Sequence, residues 1–246
     1  MNEPLLTAEA VTQELKKLGD TAKATLLARY FKTGKGEYGE GDTFVGITVP
    51  VQRKIAHRSL GLPLSEISTL LAHPIHECRF TALEILVEQF ARAFKRGDKK
   101  ECARIVKFYL ARTQHINNWD LVDTSALYII GAYLFEFNQP RTVLYTLAHS
   151  RNLWERRIAL LSTFYFIRQQ DFKDSIKLAE LLLDDPHDLI HKAVGWMLRE
   201  VGKQGKKTLV RFLDKHAHHM PRTMLRYSLE KFDATERARY MNLVAQ

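Results

Sequence analysis

Along nearly the whole chain, apolar residues recur at three- and four-residue intervals between short polar or Pro/Gly-bearing breaks, the period of helices that bury one side. Alternating runs joined by Asn-Gly or Asp-Gly pairs, the mark of strands, are missing. The pattern predicts helices near residues 8–18, 20–32, 50–59, 64–72, 76–94, 98–112, 118–136, 140–148, 152–169, 173–184, 188–202, 204–217 and 221–230, and so an all-α protein.

Several of these helices read as copies of one unit. "ECRFTALEIL", "DLVDTSALYI", "ERRIALLSTF" and "IHKAVGWMLR" each set a charged residue ahead of a small one inside an apolar face. The small residues are Ala82, Ala126, Ala159 and Gly195, at intervals of 44, 33 and 36 residues. Such intervals suit stacked helix pairs of the HEAT kind, where small side chains let helices approach; chance likeness among amphipathic helices is the alternative. The expected architecture is a superhelical stack of HEAT-like repeats over residues 1–246, one domain with a concave binding face. Arg79, Asp123, Arg156 and Lys192, each just ahead of the small position, would then recur along one line of that surface.

Charge adds a partner class to this picture. Lysines and arginines number 37 against 28 acids, a net charge of +9, which favours a polyanion. With 46% hydrophobic and 26% charged residues, the chain is of neither disordered nor membrane type. No apolar run long enough to span a bilayer and no leader-like N-terminus is present, so a cytoplasmic protein is expected, with Cys78 and Cys102 as reduced thiols. The glycine-rich stretch "KTGKGEYGEGDTF", residues 32–44, lacks a P-loop ending and carries Glu37, Glu40 and Asp42, which would repel phosphate. It reads as a flexible connection. His187, His191, His216, His218 and His219 lack any metal-site pattern, and no metal is expected.

Candidate chemistry lies in "NNWDLVD". With Asn117 as helix cap, Asp120 reaches the third helical position, where a carboxylate serves free backbone amides. Asp123, a turn further in, has no such explanation. At about 100° per residue, Trp119 and Asp123 share the edge of the apolar face. Spacing alone still favours Trp119 as a core anchor and Asp123 as an arginine's partner.

Together "NNWDLVD", "LWERR" and "KAVGWMLRE", with "LLARYFK" and "FVGITVP" nearer the start, resemble the AlkD-type DNA alkylation repair glycosylases, a family of HEAT-like-repeat proteins. The resemblance implies a cofactor-free, monomeric, monofunctional DNA N-glycosylase. Such an enzyme hydrolyses the N-glycosidic bond of cationic N3- or N7-alkylated purines in double-stranded DNA and leaves an abasic site. It implies Asp123, Trp119 and Trp196 at the catalytic centre, with Arg157 and Tyr30 on the DNA; Arg156 and Lys192 join these from the line of repeat charges. The residue types suit that chemistry. An alkylated purine is already a cationic leaving group, and the deoxyribose turning into an oxocarbenium-like cation calls for a carboxylate beside it. No lysine is singled out as a lyase nucleophile, so strand cleavage is not expected. The rival reading is a non-catalytic HEAT-repeat scaffold or DNA-binding protein.

Overall fold

A computed structural model describes residues 3–243. Its helices are α1 (Ala8–Lys17), α2 (Thr21–Tyr30), α3 (Val49–Arg58), α4 (Leu64–Leu71), α5 (His76–Lys95), α6 (Lys99–Leu110), α7 (Trp119–Ala126), α8 (Ala132–Glu136), α9 (Thr142–Ala148), α10 (Leu153–Arg168), α11 (Lys173–Leu181), α12 (Asp188–Gln204), α13 (Lys206–His216), α14 (Arg222–Ser228) and α15 (Ala234–Leu243). Among the described residues the only β-type pairing is an isolated bridge, Thr43 with Ile75. The protein is an all-α stack of helical repeats. Starts are marked in the sequence: Thr7, Asp20, Asp98 and Asn152 each accept a hydrogen bond from an amide of the first turn.

The chain forms two compact units, Met1–Ser125 and Ala126–Gln246. In the first, α5 is the hub, packed by α1, α3, α4 and α6. Cys78, Phe80, Ala82, Leu83, Ile85 and Leu86 are buried along it, but so are His76, Glu77, Arg79 and Glu84. In the second, α10 packs on α9, α11 and α12, and α12 in turn on α13 and α14. The small repeat residues lie at close approaches. A methyl group on Gly195 of α12 would stand 2.5 Å from the Met224 carbonyl and 2.5 Å from Cβ of Tyr227 on α14.

Arg79 and Arg156, matched by the repeat alignment, are structurally equivalent. Arg79 donates to the carbonyls of His73 and Pro74, six and five residues upstream, and Arg156 donates to those of Ser150 and Arg151, at the same two offsets. Each then ion-pairs with an aspartate, Arg79 with Asp42 at 2.5 Å and Arg156 with Asp185 at 2.6 Å. The expected line of surface charge is thereby corrected. At these repeat positions the guanidinium laces a loop to its own helix, and Arg79 is buried.

Two further departures have physical causes. The predicted helix 118–136 is interrupted by one π-helical turn, Leu127–Gly131, which sets Gly131 with its backbone against the Ser162 carbonyl of α10. Helix α15 was not predicted: "ATERARYMNL" buries only Tyr240 and shows no apolar stripe.

Candidate active site

Helix α7 carries "WDLVDTSA". Asn118 caps it, one residue later than expected, its side-chain oxygen accepting from the Trp119 amide at 2.8 Å. Asp120 does more than serve the helix end. One of its oxygens accepts from the Leu121 amide at 2.9 Å, and the other faces Nε2 of His76 at 2.8 Å. Further along, the Thr124 hydroxyl donates to Glu84 at 2.5 Å, and Ser125 shares a hydrogen bond of 2.9 Å with Tyr109. Polar residues on both sides of Asp123 are thus fastened to α5 and α6, which fixes the helix in position and rotation. Asp123 itself is half-buried. Burial first, and then the negative charge of Asp123, push the Tyr109 phenol well above its ordinary range, so it stays a neutral hydroxyl.

Trp119 is also half-buried rather than sunk in the core. Its indole stacks on Phe31, centroids 5.2 Å apart and planes 7° from parallel, while Tyr30 meets it edge-on at 5.9 Å. Tyr30 is 66% exposed, the outer end of an aromatic row whose inner members are Phe31 and Phe44, stacked at 5.1 Å. Trp154, by contrast, is buried.

Between that row and α7 lies a buried polar cluster whose member Asp42 has no local mark in the sequence. His76 is flanked by the rings of Phe31 and Phe44, at 4.8 and 4.7 Å. Its Nδ1 faces Asp42 at 3.1 Å, its Nε2 faces Asp120, and Asp42 also receives Arg79 and the Asn118 amide. Burial pushes the Asp42 carboxyl up, but the His76 hydrogen bond and the Arg79 charge outweigh it and hold it below the usual carboxylate range. Glu77, next on α5, accepts from the amides of Val45, Gly46 and Ile47 at 2.8 to 3.3 Å. Of the acids of the glycine-rich stretch, Asp42 turns inward while Glu37 and Glu40 stay at the surface. Glu37 and Glu40 accept from the Gly34 and Gly36 amides, and the flexible connection expected there is instead pinned by its own carboxylates. The legible signal was "HPIHECRF": a histidine, a glutamate and an arginine opening a helix whose first eleven residues, 76–86, are all buried.

In the second unit, Trp196 is half-buried and meets Phe164 edge-on at 5.7 Å. Arg157 is buried at the start of α10 and donates to the Leu189 carbonyl at 2.7 Å. Lys192 pairs with Asp188 one turn earlier on α12. Arg156 has its fork on Asp185, a scaffold contact rather than an open basic group. His187 caps α12 through Nδ1, and His191 faces the Asp185 carbonyl, so both belong to the helix start.

Comparison with known proteins places this geometry. A family model described as DNA alkylation repair enzyme matches residues 11–232. Among solved structures, one titled a predicted DNA alkylation repair enzyme from Enterococcus faecalis is similar over 88% of this chain and 97% of its own, at 18% identity and TM-score 0.67. The smu.31 protein of Streptococcus mutans UA159 aligns over 97% of this chain and 98% of its own, at 15% identity and TM-score 0.48. No curated protein matches the chain. No helix among the described residues is long and apolar enough to cross a membrane.

Proposed function

The chain belongs to the DNA alkylation repair enzyme family, and from that premise we propose that it is a monofunctional DNA glycosylase releasing cationic N3- or N7-alkylated purines from double-stranded DNA. The observation that carries the reading is α7, a helix fastened on both sides of a half-buried carboxylate, Asp123, with a half-buried indole, Trp119, one turn earlier. That pairing fits a deoxyribose in transit to an oxocarbenium-like cation. The alkylated base leaves without needing an acid, so the enzyme's part is to stabilise charge on the sugar and orient water. At about 4 Å and an effective dielectric near 20, a carboxylate attracts a unit cation by about 4 kcal/mol. Realised mainly in the transition state, that is about a thousandfold in rate.

Trp119, held at a set angle by Phe31, offers the sugar an apolar surface with a negative π-face, and in the second unit the half-buried Trp196 is a further indole for DNA. Tyr30 extends the aromatic surface outward. Lys192, on the surface of α12, supplies positive charge for the phosphates, Arg157 adds the field of its buried charge, and Arg156, committed to Asp185, is scaffold. Damaged DNA is the substrate, no cofactor takes part, and the enzyme works in the cytoplasm as a monomer. The product in this reading is an abasic site in an unbroken strand, since a lyase step would need an amine nucleophile and the reading assigns that role to no lysine.

The test is Asp123→Asn, which keeps shape and deletes charge. Single-turnover excision of 7-methylguanine should fall about a hundredfold or more, with melting temperature and affinity for undamaged duplex near wild type. Lower stability with unchanged excision per folded molecule would make Asp123 structural and overturn the proposal.

A further inference from the structure

We propose that His76 is a positioning residue of this site: as a doubly protonated imidazolium between Asp42 and Asp120, it fixes the first turn of α7 and so the placement of Trp119 and Asp123. The geometry demands both protons. Each ring nitrogen faces a carboxylate oxygen, Nδ1 at 3.1 Å from Asp42 and Nε2 at 2.8 Å from Asp120, and an ionised carboxylate can only accept. A neutral ring would turn a lone pair onto one of them.

Charge counting leads to the same state. The titratable groups facing the ring are Asp42 from the loop, Asp120 from α7 and Arg79 from its own helix. With His76 protonated, this buried set is neutral; without that proton, it carries an unbalanced negative charge out of water. Burial works against the imidazolium, but the charge and hydrogen bond of Asp120, then the bond from Asp42, push its pKa up to about 9. Mechanical coupling to the site is direct. Phe31 touches the His76 ring at 4.8 Å on one side and stacks on Trp119 at 5.2 Å on the other, while Asp120 is the residue after Trp119 and lies one turn before Asp123. Losing the proton therefore releases both the indole and the helix that bears the carboxylate.

The rate arm of this inference rests on the glycosylase reading; a spectroscopic arm does not. Asp120→Asn preserves shape and removes the largest contribution that raises the His76 pKa. In 15N-labelled protein, the Trp119 indole N–H cross-peak, assigned through Trp119→Phe, should titrate near pH 9 in wild type and at least one pH unit lower in Asp120→Asn. Single-turnover excision is measured for both proteins from pH 6.5 to 9, and the ratio of variant to wild type cancels the titration of the substrate. That ratio should fall about tenfold as pH rises through the variant's midpoint. A helix-capping role alone predicts a constant ratio. An unmoving cross-peak with a flat ratio overturns the positioning role. A titrating cross-peak in a protein that excises nothing at any pH upholds it and overturns the proposed function instead.

Discussion

Arg156 separates a scaffold residue from a DNA ligand, and the structure sets the size of the effect. Arg156→Ala removes the fork that meets Asp185 at 2.6 and 3.3 Å and strips the Ser150 and Arg151 carbonyls of their donor. The Asp185 side chain is only 3% exposed, so its charge is left buried and unbalanced by Arg156. Breaking a buried pair from one side costs about 3–5 kcal/mol. In a chain of this size each kcal/mol moves the melting temperature by about 2–4 °C, which gives a drop of about 6–20 °C. Circular dichroism melts at pH 7.5 read it, and Arg156→Ala/Asp185→Ala should recover part of the loss because the orphaned charge is gone. Affinity for undamaged duplex, measured on folded protein across a salt series, should keep the wild-type slope. A melting temperature within about 2 °C of wild type, with a salt slope reduced by about 0.9, would return Arg156 to the DNA and refute the scaffold assignment.

Two other outcomes follow from packing and titration. Gly195→Ala should lower stability by about 1–3 kcal/mol, since its methyl would press on the Met224 carbonyl and Tyr227; an unchanged melt would mean that α12 and α14 are not in the close contact described. His76 has a folded pKa raised from 6.5 to about 9, so its contribution is full below pH 6.5 and disappears as pH rises through 9. Melts should therefore weaken by about 3 kcal/mol across that interval, and a flat profile there would rule out a buried imidazolium. Asp42 has the opposite sign: its pKa is lowered, and its contribution is lost on acidification below the usual carboxylate range.

Helical period and small-residue spacing were enough to read the fold, because α-helical packing writes both into local sequence. Ala82, Ala126, Ala159 and Gly195 are all buried, as close helix approach requires. The same alignment misjudged the charges beside them. Arg79 and Arg156 recur at one repeat position because that position laces a loop, and a recurring charge looks alike in sequence whether it faces solvent or an aspartate. Local sequence shows Asp120 only as a helix-start carboxylate, and one of its oxygens does serve the Leu121 amide. Its second oxygen meets His76, 44 residues earlier, and a pairing at that separation leaves no local trace. Asp42 was hidden in the same way among glycines that read as a loose connection.

Excision shows itself as free base released from duplex DNA treated with a methylating agent. Incubation with the wild-type protein, without added metal or cofactor, should release 7-methylguanine or 3-methyladenine, detected by chromatography. The DNA strand should remain intact until heat or alkali breaks it at the abasic sites. Tight binding to the same DNA with no release of base above the spontaneous rate would contradict the account and leave the protein a DNA-binding scaffold.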